Sequence, residues 1–176
     1  MLRFVKSAAA VILAIVLIVV GWPFVLAIVA IVAGTYGARK WRAWRAVARF
    51  RREWHPRGKD VLIVYSNSPH WQRHVETRWL PKWGERAVVL NWSARKEWEE
   101  SGSPEVALFK AFAGTREFNP LAIVVPRTGA ARVVRFWRAF RDFKHGRDQA
   151  LVSAEGQLEA ALAEANIEKS RRHANP

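Results

Sequence analysis

Asp60-Val61-Leu62-Ile63-Val64-Tyr65-Ser66-Asn67-Ser68-Pro69-His70-Trp71 is the stretch that decides the fold class. Its apolar run, rich in β-branched side chains, predicts a strand buried on both faces. Ser68-Pro69 predicts a helix start, because serine accepts from an orphan backbone N–H and proline fits the first helical position. A strand running through a polar loop into a helix is the opening of an α/β sheet, and ligands bind at such strand ends. Ser66, Asn67, Ser68, His70 and Arg73 are therefore candidate ligand- or anion-binding residues, assisted by the free N–H groups of a helix start.

The alternation continues outward. Pro69 to about Lys82 is expected to be helical, and Arg86-AVVLNW-Ser93 a second strand. Residues 94–101 suit a short helical turn or two. Ser103-Pro104 opens a helix that stops at Gly114. Pro120-LAIVV-Pro126 reads as a third strand, and a turn at Thr128–Ala131 leads to a fourth over Arg132–Arg138. Val133, Phe136, Trp137 and Phe140 also fit a helical face, but the valine pair after a glycine turn favours a strand. Arg147 to about Ala165 is the final helix, with Leu151, Leu158 and Leu162 inward, followed by a polar tail expected to be disordered. The order is β-α-β-α-β-β-α. It predicts parallel pairing where strands alternate with helices and a closing antiparallel hairpin, giving a mixed four-stranded sheet.

Over residues 59–165 this order resembles the thioredoxin-like fold. Phe118-Asn119-Pro120 precedes the third strand, where that family places a proline, usually in a cis bond. The loop Ser66–His70 lies where the family carries its Cys-x-x-Cys motif. The chain has no cysteine, so the redox activity does not carry over. What the resemblance implies is partner or ligand binding near Ser66–Trp71, with Asn119 and Pro120 added to the candidate site.

Toward the N-terminus, Ala8–Gly34 holds no charged residue. That exceeds the roughly 20 apolar residues a membrane span needs. Gly21-Trp22-Pro23 interrupts it. One kinked span, a re-entrant hairpin turning at these residues, and a cleaved signal peptide are the alternatives. The flank after the segment carries Arg39, Lys40, Arg42, Arg45, Arg49, Arg51 and Arg52, against Arg3 and Lys6 before it. This bias places the following domain on the cytoplasmic side.

The net charge of +14 is concentrated near this segment. Residues 1–59 carry eleven Lys/Arg and one acid; residues 60–176 carry eighteen and fourteen. The pattern points to anionic lipid headgroups rather than to nucleic acid. On a helix, Trp41, Trp44, Val47, Phe50 and Trp54 fall on one side and Arg39, Arg42, Arg45, Arg49, Arg52 and Glu53 on the other, with Lys40 and Arg51 breaking the pattern. Trp41, Arg42, Trp44, Arg45, Arg49, Phe50 and Trp54 are the expected membrane-interface residues of an amphipathic collar.

No catalytic constellation is assigned. Neither Ser66 nor Ser68 stands in a nucleophile elbow, and no phosphate-binding glycine loop is present. His70 and His74 have the i, i+4 spacing of zinc ligands, but Trp71 stands where a zinc protease needs glutamate and no third ligand follows. No metal and no cofactor are expected. A second basic run, Arg127 to Arg147, interleaves with Phe136, Trp137, Phe140 and Phe143.

The expected layout is a membrane anchor over 1–36, a basic amphipathic interfacial helix over 37–56, a cytoplasmic α/β domain over 57–165 and a tail over 166–176. The expected function is binding or scaffolding at the membrane, with lipid headgroups and a protein as partners. The competing functions are an enzyme acting on a lipid-linked or phosphorylated substrate at residues 66–74, and a membrane-tethered nucleic-acid-binding module.

Overall fold

The computed structural model describes residues 2–114 and 118–173. The chain divides into two units, Met1–Trp41 and Arg42–Pro176. Helix α1, Leu2–Trp54, begins in the first and ends in the second.

In the first unit α1 continues through Pro23. The reversal of the hairpin alternative is not there. An interior proline removes one backbone hydrogen bond and clashes with the preceding turn, a local cost of about 3 kcal/mol. The helix nonetheless runs unbroken from Leu2 to Trp54. The side chains from Trp22 to Gly34 are exposed within the structure. This single N-terminal helix is apolar enough to span a membrane.

The second unit is a mixed α/β domain around a four-stranded sheet in the order β2-β1-β3-β4. The strands are β1 (Val61–Tyr65), β2 (Ala87–Asn91), β3 (Leu121–Val124) and β4 (Arg132–Arg135). β1 pairs in parallel with β2, Val61 opposite Ala87 and Tyr65 opposite Asn91. β3 is antiparallel to β1, with Val61 opposite Val124 and Val64 opposite Leu121. It is also antiparallel to β4. The expected parallel entry of the third strand is thus corrected. Leu121–Val124 is buried on both faces, so its apolar pattern reads the same in either direction.

The period-two alternation of β1 feeds two cores. Val61, Ile63 and Tyr65 face one side of the sheet, where Ala122 and Val124 of β3 join them. Covering that side are α2 (Gln72–His74), a π-turn (Val75–Trp79), α3 (Leu80–Trp83), α6 (Trp137–Lys144) and α7 (Gln149–His173). Leu62 and Val64 face the other side with Leu90, Leu121 and Ile123, beneath α5 (Pro104–Phe112) and the end of α1. The short α4 (Arg95–Trp98) follows β2.

Two expectations change here. The segment expected as one strand over 132–138 is a strand to Arg135 followed by a helix from Trp137. Both patterns were present, one after the other: the valines suit the pleat, while Phe136 and Phe140 lie one helical turn apart and are both fully buried. The final helix continues to His173, beyond the expected end near Ala165.

The collar helix is also reassigned in part. Ala46, Val47 and Phe50 are core residues, Phe50 with no exposed surface. Phe50 therefore packs against the sheet and faces no lipid. Trp54 is partly buried on the same core and donates its indole N–H to Glu105 Oε2 at 3.0 Å. Arg49 donates to the Gly102 carbonyl at 2.9 Å. Arg51, which breaks the amphipathic pattern, donates to the carbonyls of Pro126 at 2.8 Å and Gly129 at 2.6 Å. Gly129 holds the left-handed φ of 76° that this turn between β3 and β4 requires. Trp41 and Trp44 remain exposed, at 55% and 66%, and so do Arg42 and Arg45.

Candidate functional site

β1 delivers the chain to the end of the sheet at Tyr65, and the next residues are stitched together by their own polar groups. Ser66 Oγ accepts from the Trp71 indole N–H at 3.2 Å. The Asn67 backbone N–H donates to Ser93 Oγ at 2.9 Å, and Asn67 Oδ1 accepts from Asn91 Nδ2 at 2.6 Å. Asn91 Oδ1 in turn accepts from the Ser93 N–H at 2.9 Å. The loop after β1 is thereby tied to the loop after β2. Ser68 opens the helical turn: its carbonyl accepts from Trp71 N and Gln72 N, and its hydroxyl from His70 N at 3.4 Å. Ser68-Pro69 thus starts a turn over residues 69–71; the helix expected from Pro69 begins instead at Gln72, with Trp71 at its N-cap and no side-chain cap.

The two histidines are separated. His74 bonds through Nε2 to Glu155 Oε1 of α7 at 2.8 Å, and the Trp79 indole donates to the same oxygen at 2.7 Å. The His74 ring lies edge-on to Phe140 at 5.3 Å and to Phe143 at 6.0 Å. His70 is exposed beside Trp71, their rings 6.3 Å apart. Among the described residues no three acidic or histidine side chains come together to hold a metal. Arg73 is exposed. Glu76 Oε1 accepts from Tyr65 at 3.2 Å and from Gln72 at 3.1 Å. Burial first, then the Glu76 charge, raises the Tyr65 pKa above 10.0, which keeps the phenol a donor.

Asn119 and Pro120 are buried, and their peptide bond is cis. The Pro120 carbonyl accepts from Phe136 N at 2.9 Å. Continuing the β1–β3 register sets Pro120 beside Tyr65, at the sheet end where the loop begins. Asn119 Oδ1 is buried with no hydrogen-bond partner among the described residues.

What the sequence candidates miss is the wall beside them. A shallow groove runs between the His70-Trp71 turn and α6, lined by His70, Trp71, Trp137, Phe140, Arg141 and Lys144. Trp71 and Phe140 lie 6.2 Å apart at 52°. Trp137 has two partners, Phe118 stacked on it at 4.9 Å and the Arg141 guanidinium over it at 5.3 Å. The signal was present in the basic-aromatic run from Arg127 to Arg147. Its helical half was obscured by the strand assignment.

A second concavity is polar and lies by the start of β1, lined in part by His55, Lys59, Asp60, Arg86 and Arg127. Its groups are largely committed to the fold. Arg86 forms a two-pronged ion pair with Asp60 and donates to the Leu162 carbonyl at 3.2 Å. Lys59 donates to the Ala87 carbonyl at 2.8 Å. His55 Nε2 donates to the Val125 carbonyl at 2.9 Å. Burial, more than any neighbouring charge, lowers the His55 pKa below 6.5.

No protein-family model matches the chain, and searches of curated proteins and of solved structures give no significant match.

Proposed function

We propose that the chain is a membrane-anchored, non-redox α/β binding domain that holds a partner at the cytoplasmic membrane face. The observation that carries this reading is the character of the sheet-end site. Its floor is apolar and shallow, and the polar groups of the adjoining loop are engaged with one another. A nucleophilic enzyme needs a hydroxyl in contact with a base. Here Ser66 is paired with an indole and Ser68 with a backbone N–H, and among the described residues neither hydroxyl bonds to a histidine nitrogen.

The thioredoxin-like scaffold belongs to the same proposal. Support comes from the order of strands and helices, the antiparallel β3–β4 hairpin and the position of Pro120 immediately before β3. Redox chemistry is absent from the proposal because the chain has no thiol. Anchoring is supported by the apolar N-terminal helix, and the cytoplasmic side by the seven basic residues that follow it from Arg39 to Arg52.

The test is alkaline extraction of membranes containing the full chain, followed by protease treatment from each side. Retention in the pellet, with residues 57–173 cleaved only from the cytoplasmic side, is the expected outcome. Release into the supernatant would overturn the anchored reading.

A further inference from the structure

We infer that the groove between the His70-Trp71 turn and α6 is a docking site for an acidic peptide segment carrying an aromatic anchor residue. The inference rests on the binding reading of this face and names the partner's chemistry.

Three observations set that chemistry. First, the groove is recessed. Trp71 is half-buried with its indole N–H turned to Ser66, Phe140 is fully buried, and Trp137 is held by Phe118 and Arg141. Rings fixed in this way form a floor that receives a side chain. A bilayer-inserting surface instead needs rings that protrude. The part-exposed Trp71 and Trp137, backed by Phe140, suit an incoming ring, because aromatic pairs gain from offset and edge-on contacts beyond their buried area.

Second, the rim is basic. Arg141 and Lys144 line it, and among the described residues no acidic side chain does. The nearby Asp142 is already paired with Arg147 at 3.1 Å, and Glu155 is taken by His74 and Trp79. Charge complementarity therefore calls for carboxylates on the partner flanking its anchor. Third, the floor is pre-formed by locked rings, so binding orders few side chains on this side.

The test uses the full chain in nanodiscs of zwitterionic lipid and a fluorescent peptide with one phenylalanine between runs of glutamate, read by anisotropy. Binding that weakens with salt is expected. Replacing the peptide's phenylalanine by serine, or its glutamates by lysines, should abolish it. The double variant Arg141→Glu, Lys144→Glu should weaken it roughly tenfold or more. Lys144→Glu alone, at an exposed position, should show the same direction without endangering the fold. Trp137→Ala should also weaken binding.

Unchanged binding in the charge-reversed variants overturns the acidic chemistry. If the lysine peptide then binds and loses affinity in Trp137→Ala, the groove is still a binding site and the broader reading stands. If neither peptide binds, both fall. Capture of added anionic vesicles through Arg141 and Lys144, with no peptide binding, overturns the peptide assignment in favour of a lipid surface.

Discussion

At the scale of single residues, the polar side chains of this domain serve mostly as internal fastenings. His55 bonds to the Val125 carbonyl between the end of α1 and the sheet. Because burial lowers its folded-state pKa, the neutral ring is the form the fold favours. Below the unfolded value of 6.5 the unfolded chain binds more protons, so stability is lost as pH falls through that point and is fully present above it. Urea midpoints measured downward from neutral pH should decline below 6.5 in the natural chain. The decline should flatten in His55→Gln, which keeps a side-chain donor without the titration. Glu155 is a second fastening, with His74 and Trp79 on one carboxylate oxygen. Glu155→Ala leaves both donors partnerless and should cost roughly 1–3 kcal/mol, read as a shift in denaturant midpoint. The turn at Ser68-Pro69 was legible from residue types alone, since turn chemistry is local, though the helix itself waits until Gln72. The His74–Glu155 pairing was not, because its partners are 81 residues apart.

At the scale of elements, the end of α1 is the instructive case. Its aromatic and basic stripes satisfied the requirements of an interfacial helix and of a helix laid on a sheet equally well, because both need one apolar face. What separates them is the occupant of the opposite side, which periodicity does not report. Phe50 takes the packing role, while Trp44 stays exposed. Phe50→Ala should destabilise the domain by about 3–5 kcal/mol, as loss of a buried phenylalanine does. Trp44→Ser, at an exposed position, should stay within about 0.5 kcal/mol. Equal effects in thermal melts would contradict this division. Residues 132–144 carry the same lesson along the chain. The strand and helix periods abut at Phe136, and a window spanning both gives neither cleanly.

At the scale of the whole molecule, the mixed four-stranded sheet and the long apolar N-terminal helix were readable, because each rests on composition and period over many residues. The direction of β3 was not, since a strand buried on both faces carries no polarity in its pattern. The groove beside α6 was hidden for a different reason: it joins the end of β1 to a helix some 70 residues later, and such a juxtaposition exists only once the sheet is assembled. A binding domain whose polar loop is self-satisfied should tolerate Ser66→Ala without loss of peptide affinity. A large loss would move the site from the groove to the loop.

That the stripe Ala46, Val47 and Phe50 packs against strands made much later also has a bearing on synthesis. Leu121 and Ile123 complete the core it enters. At translation rates of about 5–20 residues per second, roughly 4–15 s separate the emergence of this stripe from that of β3. For that interval the last turns of α1 are an apolar face without its completed sheet, at the end of a helix whose earlier turns are apolar too. The domain can close only after β3 has left the ribosome.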